Sequence, residues 1–106
     1  MQIQVNSDNS IAIDNELSES LQANVNKALE RFYGQITRVE IHLTDVNGSS
    51  KSGPRENRCL LEVRPAGRDP VVATDEAATP EEAVKGASQK MQRLLSSLYG
   101  RLGETK

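Results

Sequence analysis

Little in this chain invites specialised chemistry. It has one cysteine, one histidine, no tryptophan and only three aromatic side chains, Phe32, Tyr33 and Tyr99. A single cysteine excludes an internal disulfide and fits a reducing, cytoplasmic setting. No apolar run approaches the ~20 residues that cross a bilayer, so no membrane partner is expected. The opening residues, Met1-Gln2-Ile3-Gln4-Val5, alternate and carry no basic cluster, which argues against a signal peptide. The aromatics are all expected at helix ends, which rules out the stacking platform that sheet-based readers use for single-stranded RNA. A large excess of one charge is also missing. Thirteen basic residues stand against fifteen acidic ones, for a net charge of −2. That balance excludes a uniformly basic nucleic-acid binder.

What is present suits one domain. A chain of 106 residues buries about 65% of the surface that its unfolded form exposes, enough for one core. We expect a single domain over residues 1–100 and a loose tail over 101–106. The charge is unevenly spread. Residues 1–46 hold three basic and seven acidic side chains. Residues 47–68 hold five basic ones (Lys51, Arg55, Arg58, Arg64, Arg68) against two acidic. Residues 69–106 hold five and six. The middle of an acidic chain is basic.

The apolar pattern predicts the order β-α-β-β-β-α. Residues 1–5 alternate and read as a short strand. Asp14 is placed to cap a helix whose apolar positions 17, 21, 25, 28, 29 and 32 form one stripe, with Gly34 as the expected stop. Val39, Ile41 and Leu43 alternate with Arg38, Glu40, His42 and Thr44 in a half-buried strand. Cys59, Leu61 and Val63 alternate in a second one, and Val71 to Thr74 reads as a short fourth strand. Thr79-Pro80-Glu81-Glu82 is a capped helix start, and that helix is expected to end near Gly100. Two one-sided helices and a sheet with one apolar face predict an α+β fold with both helices on one face of the sheet.

Most candidate chemistry fails on spacing. Gly48 and Gly53 have the first spacing of a phosphate-binding loop, but Pro54 stands where lysine belongs and no helix follows. Asp45, Asn47, Ser49 and Glu56 fall at calcium-loop offsets, but Ser50 replaces the required glycine, and Lys51 and Arg55 would repel the cation. Strand parity puts Cys59 on the apolar face and His42 on the other, so they cannot act as nucleophile and base. Counted as one histidine and one cysteine, they are also too few for a metal site. Neither an enzyme, a cofactor nor a small-molecule substrate is expected.

Recognition of an RNA backbone needs only positive side chains. The candidates are Lys27 and Arg31 on the first helix, Lys85, Lys90 and Arg93 on the second, and Lys51, Arg55 and Arg58 from the central basic stretch. Several sequence blocks, in order, also resemble one family. They are Met1-Gln2-Ile3-Gln4-Val5, then Leu29-Glu30-Arg31-Phe32, then Ile36-Thr37-x-Val39-x-Ile41-x-Leu43, and finally Lys90-Met91-x-Arg93-Leu94-Leu95. With this order and spacing the chain resembles the ribosome hibernation promoting factor and ribosome-associated inhibitor family, once called sigma-54 modulation proteins. The resemblance implies a double-stranded-RNA-binding-like fold, a four-stranded sheet under two helices. It further implies a non-enzymatic factor of the short type that binds the small ribosomal subunit in the decoding channel and silences translation in stressed cells. The basic helix residues would neutralise rRNA phosphates; about five of them give a log–log salt slope of about −4. Against the family pattern, the second helix closes on Ser96-Ser97-Leu98-Tyr99 rather than on basic residues. A domain of this fold that has no ribosome affinity and instead binds or regulates another protein is the alternative.

Overall fold

The structure, a computed structural model, describes residues 2–8, 12–45 and 57–103. Its elements are β1 (Gln2–Ser7), α1 (Asn15–Leu29), a 3₁₀ segment (Glu30–Gln35), β2 (Ile36–Asp45), β3 (Asn57–Pro65), β4 (Val71–Ala77) and α2 (Pro80–Gly103). The expected β-α-β-β-β-α order is therefore the observed one. The four strands lie in the order β1-β2-β3-β4. β1 runs parallel to β2, and the other two neighbouring pairs are antiparallel.

Both helix caps form as the sequence suggests. Asp14 Oδ1 accepts from the amide of Leu17 at 2.8 Å, and Thr79 Oγ1 accepts from that of Glu82 at 3.1 Å. Each satisfies an amide that the first helical turn leaves without a partner. Two ends differ from expectation. Gly34 does not stop α1; the helix tightens into the 3₁₀ segment from Glu30, and Gly67, in the turn after β3, is the described residue with positive φ, at 71°. Phe32 is buried there, so core packing carries the chain past Leu29 in a tighter turn. α2 continues to Gly103, beyond the expected end at Gly100.

One face of the sheet and the two helices share a single core. Val39, Ile41, Leu43, Cys59, Leu61 and Val63 project from the sheet. They meet Leu21, Val25 and Leu29 of α1 and Val84, Met91 and Leu95 of α2. Most of these are fully buried, and each large aliphatic side chain so placed contributes roughly 1.5–3 kcal/mol. The opposite face of the sheet is covered by no described element. It carries Arg38, Glu40, His42, Arg58, Leu60, Glu62 and Arg64, alternating with the buried set as strand parity requires.

Candidate nucleic-acid interface

The helices lie side by side and run the same way. Glu81, at the start of α2, lines a hollow with Asp14, Glu16, Leu17 and Ser20 at the start of α1. Further along, Gln92 Nε2 donates to the Ala28 carbonyl at 3.0 Å. Near the other end the rings of Phe32 and Tyr99 stack at 6.0 Å. Two parallel helix dipoles reinforce each other, so acid belongs at the shared N-terminal end and base toward the C-terminal end. The sequence complies. Asp14, Glu16, Glu81 and Glu82 occupy the first turns, and Lys27 sits in the last turn of α1. The helical layer is thus acidic at one end and basic toward the other.

Between the helices lies a groove of about 440 Å³, lined by Asn24, Lys27, Ala28, Lys85, Gln89 and Gln92. Lys27 and Lys85 are both exposed and come from facing helices. Two ammonium groups and three side-chain amides can hold an anionic, hydrogen-bonding ligand such as a phosphodiester. Arg93 is exposed and continues the i, i+4 ridge of Lys85 and Gln89. Arg31 lies beyond Lys27, with its guanidinium 5.0 Å from the centre of the Phe32 ring.

Four sequence candidates are not part of this set. Lys90 reaches away from the groove to β4, where its ammonium donates to the Thr74 carbonyl at 2.8 Å and to Asp75 Oδ1 at 3.1 Å. Arg58 projects from the uncovered face of the sheet, in register with Thr44 and Glu76 and apart from the helical set. Lys51 and Arg55 lie outside the described residues.

Sequence reasoning also missed two features. Arg68, in the turn after β3, places its guanidinium 5.8 Å from the Tyr99 ring centre. With Arg31, Phe32 and Tyr99 it builds a cation–π and stacking cluster near the basic end. Nothing local in the sequence brings residue 68 to residue 99. The second is on the uncovered sheet face. Cysteine and histidine alone are too few for a metal site, but carboxylates are ligands too. The register sets Glu40 opposite Glu62, and Glu40, His42 and Glu62 converge with ligand atoms within 4.8 Å of one another.

The Cys59 thiol is buried on the core face, beside Asp75 in the register. Burial, and secondarily the Asp75 charge, push its pKa from 9.0 up to about 12. It is an inert core side chain, as parity suggested. No described helix is long and apolar enough to cross a membrane.

Comparison with known proteins agrees with this architecture. A structure of a ribosomal subunit interface protein from Coxiella burnetii superposes with a TM-score of 0.75 at 16% identity, covering 94% of this chain and 99% of that one. The N-terminal domain of Protein Y from Thermus thermophilus superposes with a TM-score of 0.70 at 14% identity, covering 92% and 99%. At such identities the likeness is one of fold. No curated protein matches in sequence. The family profile described as sigma 54 modulation protein / S30EA ribosomal protein matches residues 3–102, nearly the whole chain, and the chain belongs to that family.

Proposed function

We propose that this protein is a cytoplasmic, non-enzymatic factor that binds the small ribosomal subunit and holds it out of translation. Contact is made with rRNA phosphates by Lys27, Arg31, Lys85 and Arg93. The observation that carries the reading is the pairing of Lys27 and Lys85 across one groove on parallel helices, with Arg31 and Arg93 continuing on either side. Family membership supports it, as does the name of one structural neighbour, a ribosomal subunit interface protein. Lys51 and Arg55 add contacts from the central basic stretch. Arg58, on the other face of the sheet, reaches RNA only if the nucleic acid wraps an edge of the sheet. Lys90 contributes less than its position suggests while Asp75 holds it.

A second reading has its own support. The shared N-terminal end of the helices is acidic, and such a surface suits a basic protein segment better than RNA. In that case the domain binds or regulates a protein partner. Reversing two charges, Arg31→Glu with Arg93→Glu, separates the two. Loss of co-sedimentation with small subunits is expected if the helices hold rRNA. Unchanged co-sedimentation would overturn that assignment, and absence of ribosome binding in the unaltered protein would favour the second reading.

A further inference from the structure

On the uncovered face of the sheet, two glutamates stand directly opposite each other on neighbouring strands, Glu40 on β2 and Glu62 on β3. Like charges so placed repel across an antiparallel pair. Each is countered from outside. Arg38 Nε lies 2.8 Å from Glu40 Oε2, and Arg64 lies 3.4 Å from Glu62 Oε2. With the outer oxygens held, both inner oxygens turn to one imidazole nitrogen. Glu40 Oε1 is 3.1 Å and Glu62 Oε1 4.0 Å from His42 Nε2. A single Nε2 proton serves one carboxylate at a time, and the longer distance is no hydrogen bond. The side chains are only partly exposed, 17% for Glu40, 37% for His42 and 20% for Glu62. They stand on the two central strands of the sheet, a firmer base than a loop.

We propose that Glu40, His42 and Glu62 form a binding site for a divalent transition-metal ion of the zinc class. Ligands 2.0–2.2 Å from a tetrahedral zinc ion stand about 3.4 Å apart. The observed 3.1 and 4.0 Å bracket that value. Closure needs only a small rotation of Glu62, since the three ligand atoms already lie within 4.8 Å of one another. Arg38 and Arg64 act as outer partners that orient the carboxylates. Their charge offsets that of the glutamates and so disfavours hard, weakly bound cations. The imidazole favours zinc, nickel or copper over calcium and magnesium. A fourth position faces solvent. The site is remote from the helical groove and does not depend on the ribosome reading.

The test is a calorimetric titration of the full chain with zinc chloride in a non-chelating buffer. It is combined with nitrogen-resolved NMR of the imidazole, which is unambiguous because the chain has one histidine. One saturable site per chain is expected, with a shift at His42 Nε2. His42→Ala should abolish binding. Glu62→Gln, isosteric and thus safe for the fold, should weaken it about tenfold or more, beyond the loss of an outer partner. No saturable binding would overturn the proposal and leave a proton-bridged clasp in its place. Binding that survives both variants would overturn it equally.

Discussion

The ammonium of Lys90 lies 3.1 Å from Asp75 Oδ1, so a residue otherwise suited to RNA is tied to the protein's own sheet. Side-chain exposures of 50% and 30% make it a partly solvated pair, worth well under 1 kcal/mol. If the helices hold rRNA, its effect on binding should exceed its effect on stability, because Lys90 would have to leave Asp75 to meet a phosphate.

Replacing Asp75 with asparagine therefore frees a cation. Asp75→Asn should tighten binding to small subunits at low salt. It should also steepen the log–log salt dependence by about 0.9, the contribution of one further phosphate. The unfolding midpoint should barely move. Co-sedimentation over a salt series, with parallel urea denaturation, checks both.

Gly86 makes this arrangement possible. A Cβ at position 86 would come within 2.6 Å of Asp75 Cγ, against the far part of that side chain and not against open space. Gly86→Ala should therefore push the partly exposed Asp75 side chain into another rotamer and away from Lys90, at a net cost below about 1 kcal/mol once the gain in helix propensity is counted. Combined with Asp75→Ala, most of that loss should disappear. A double-mutant cycle in urea measures the coupling; additive effects would show that Asp75 is not what the methyl group meets.

The buried thiol makes a pH prediction. Cys59 ionises at about 12 in the folded protein, against 9.0 ordinarily. Above pH 9 the unfolded chain loses this proton while the folded chain keeps it. Stability should therefore fall as pH rises between 9 and 12, by at most about 1.4 kcal/mol per pH unit from this group. Cys59→Ala or Cys59→Val should flatten that part of the profile. At neutral pH the native thiol should resist disulfide reagents and react only on unfolding. Rapid labelling of the folded protein would contradict its burial.

The residues that were legible in the sequence are those whose structure is local. Asp14 and Thr79 announce helix starts through nearby amides. The alternation 39, 41, 43 and 59, 61, 63 sorts Cys59 inward and His42 outward without any knowledge of the partner strand. What escaped depends on partners distant in the chain. β4 was expected to end at Thr74, but pairing of Asn57 with Ala77 and Cys59 with Asp75 carries it to Ala77. That extension presents Asp75 to Lys90. Likewise, Glu40 and Glu62 meet only because the β2–β3 register opposes them, and no local pattern states that register. Gly34 misled for a similar reason. A glycine after an apolar stripe resembles a cap, yet packing of Phe32 continues the chain in 3₁₀ form.

On the proposed reading, Lys27 and Lys85 across the inter-helix groove, with Arg31 and Arg93 beyond it, grip rRNA. The most direct test of that reading is the association of the unaltered chain with purified small ribosomal subunits across a series of salt concentrations. The four helical contacts, from Lys27, Arg31, Lys85 and Arg93, predict a log–log slope at least as steep as about −3.6, steeper still with the contacts proposed for Lys51 and Arg55. They also predict a slope shallower by about two units in the Lys27→Ala, Lys85→Ala double variant. No association at the lowest salt, or a slope that the double variant leaves unchanged, would show that these residues do not hold rRNA.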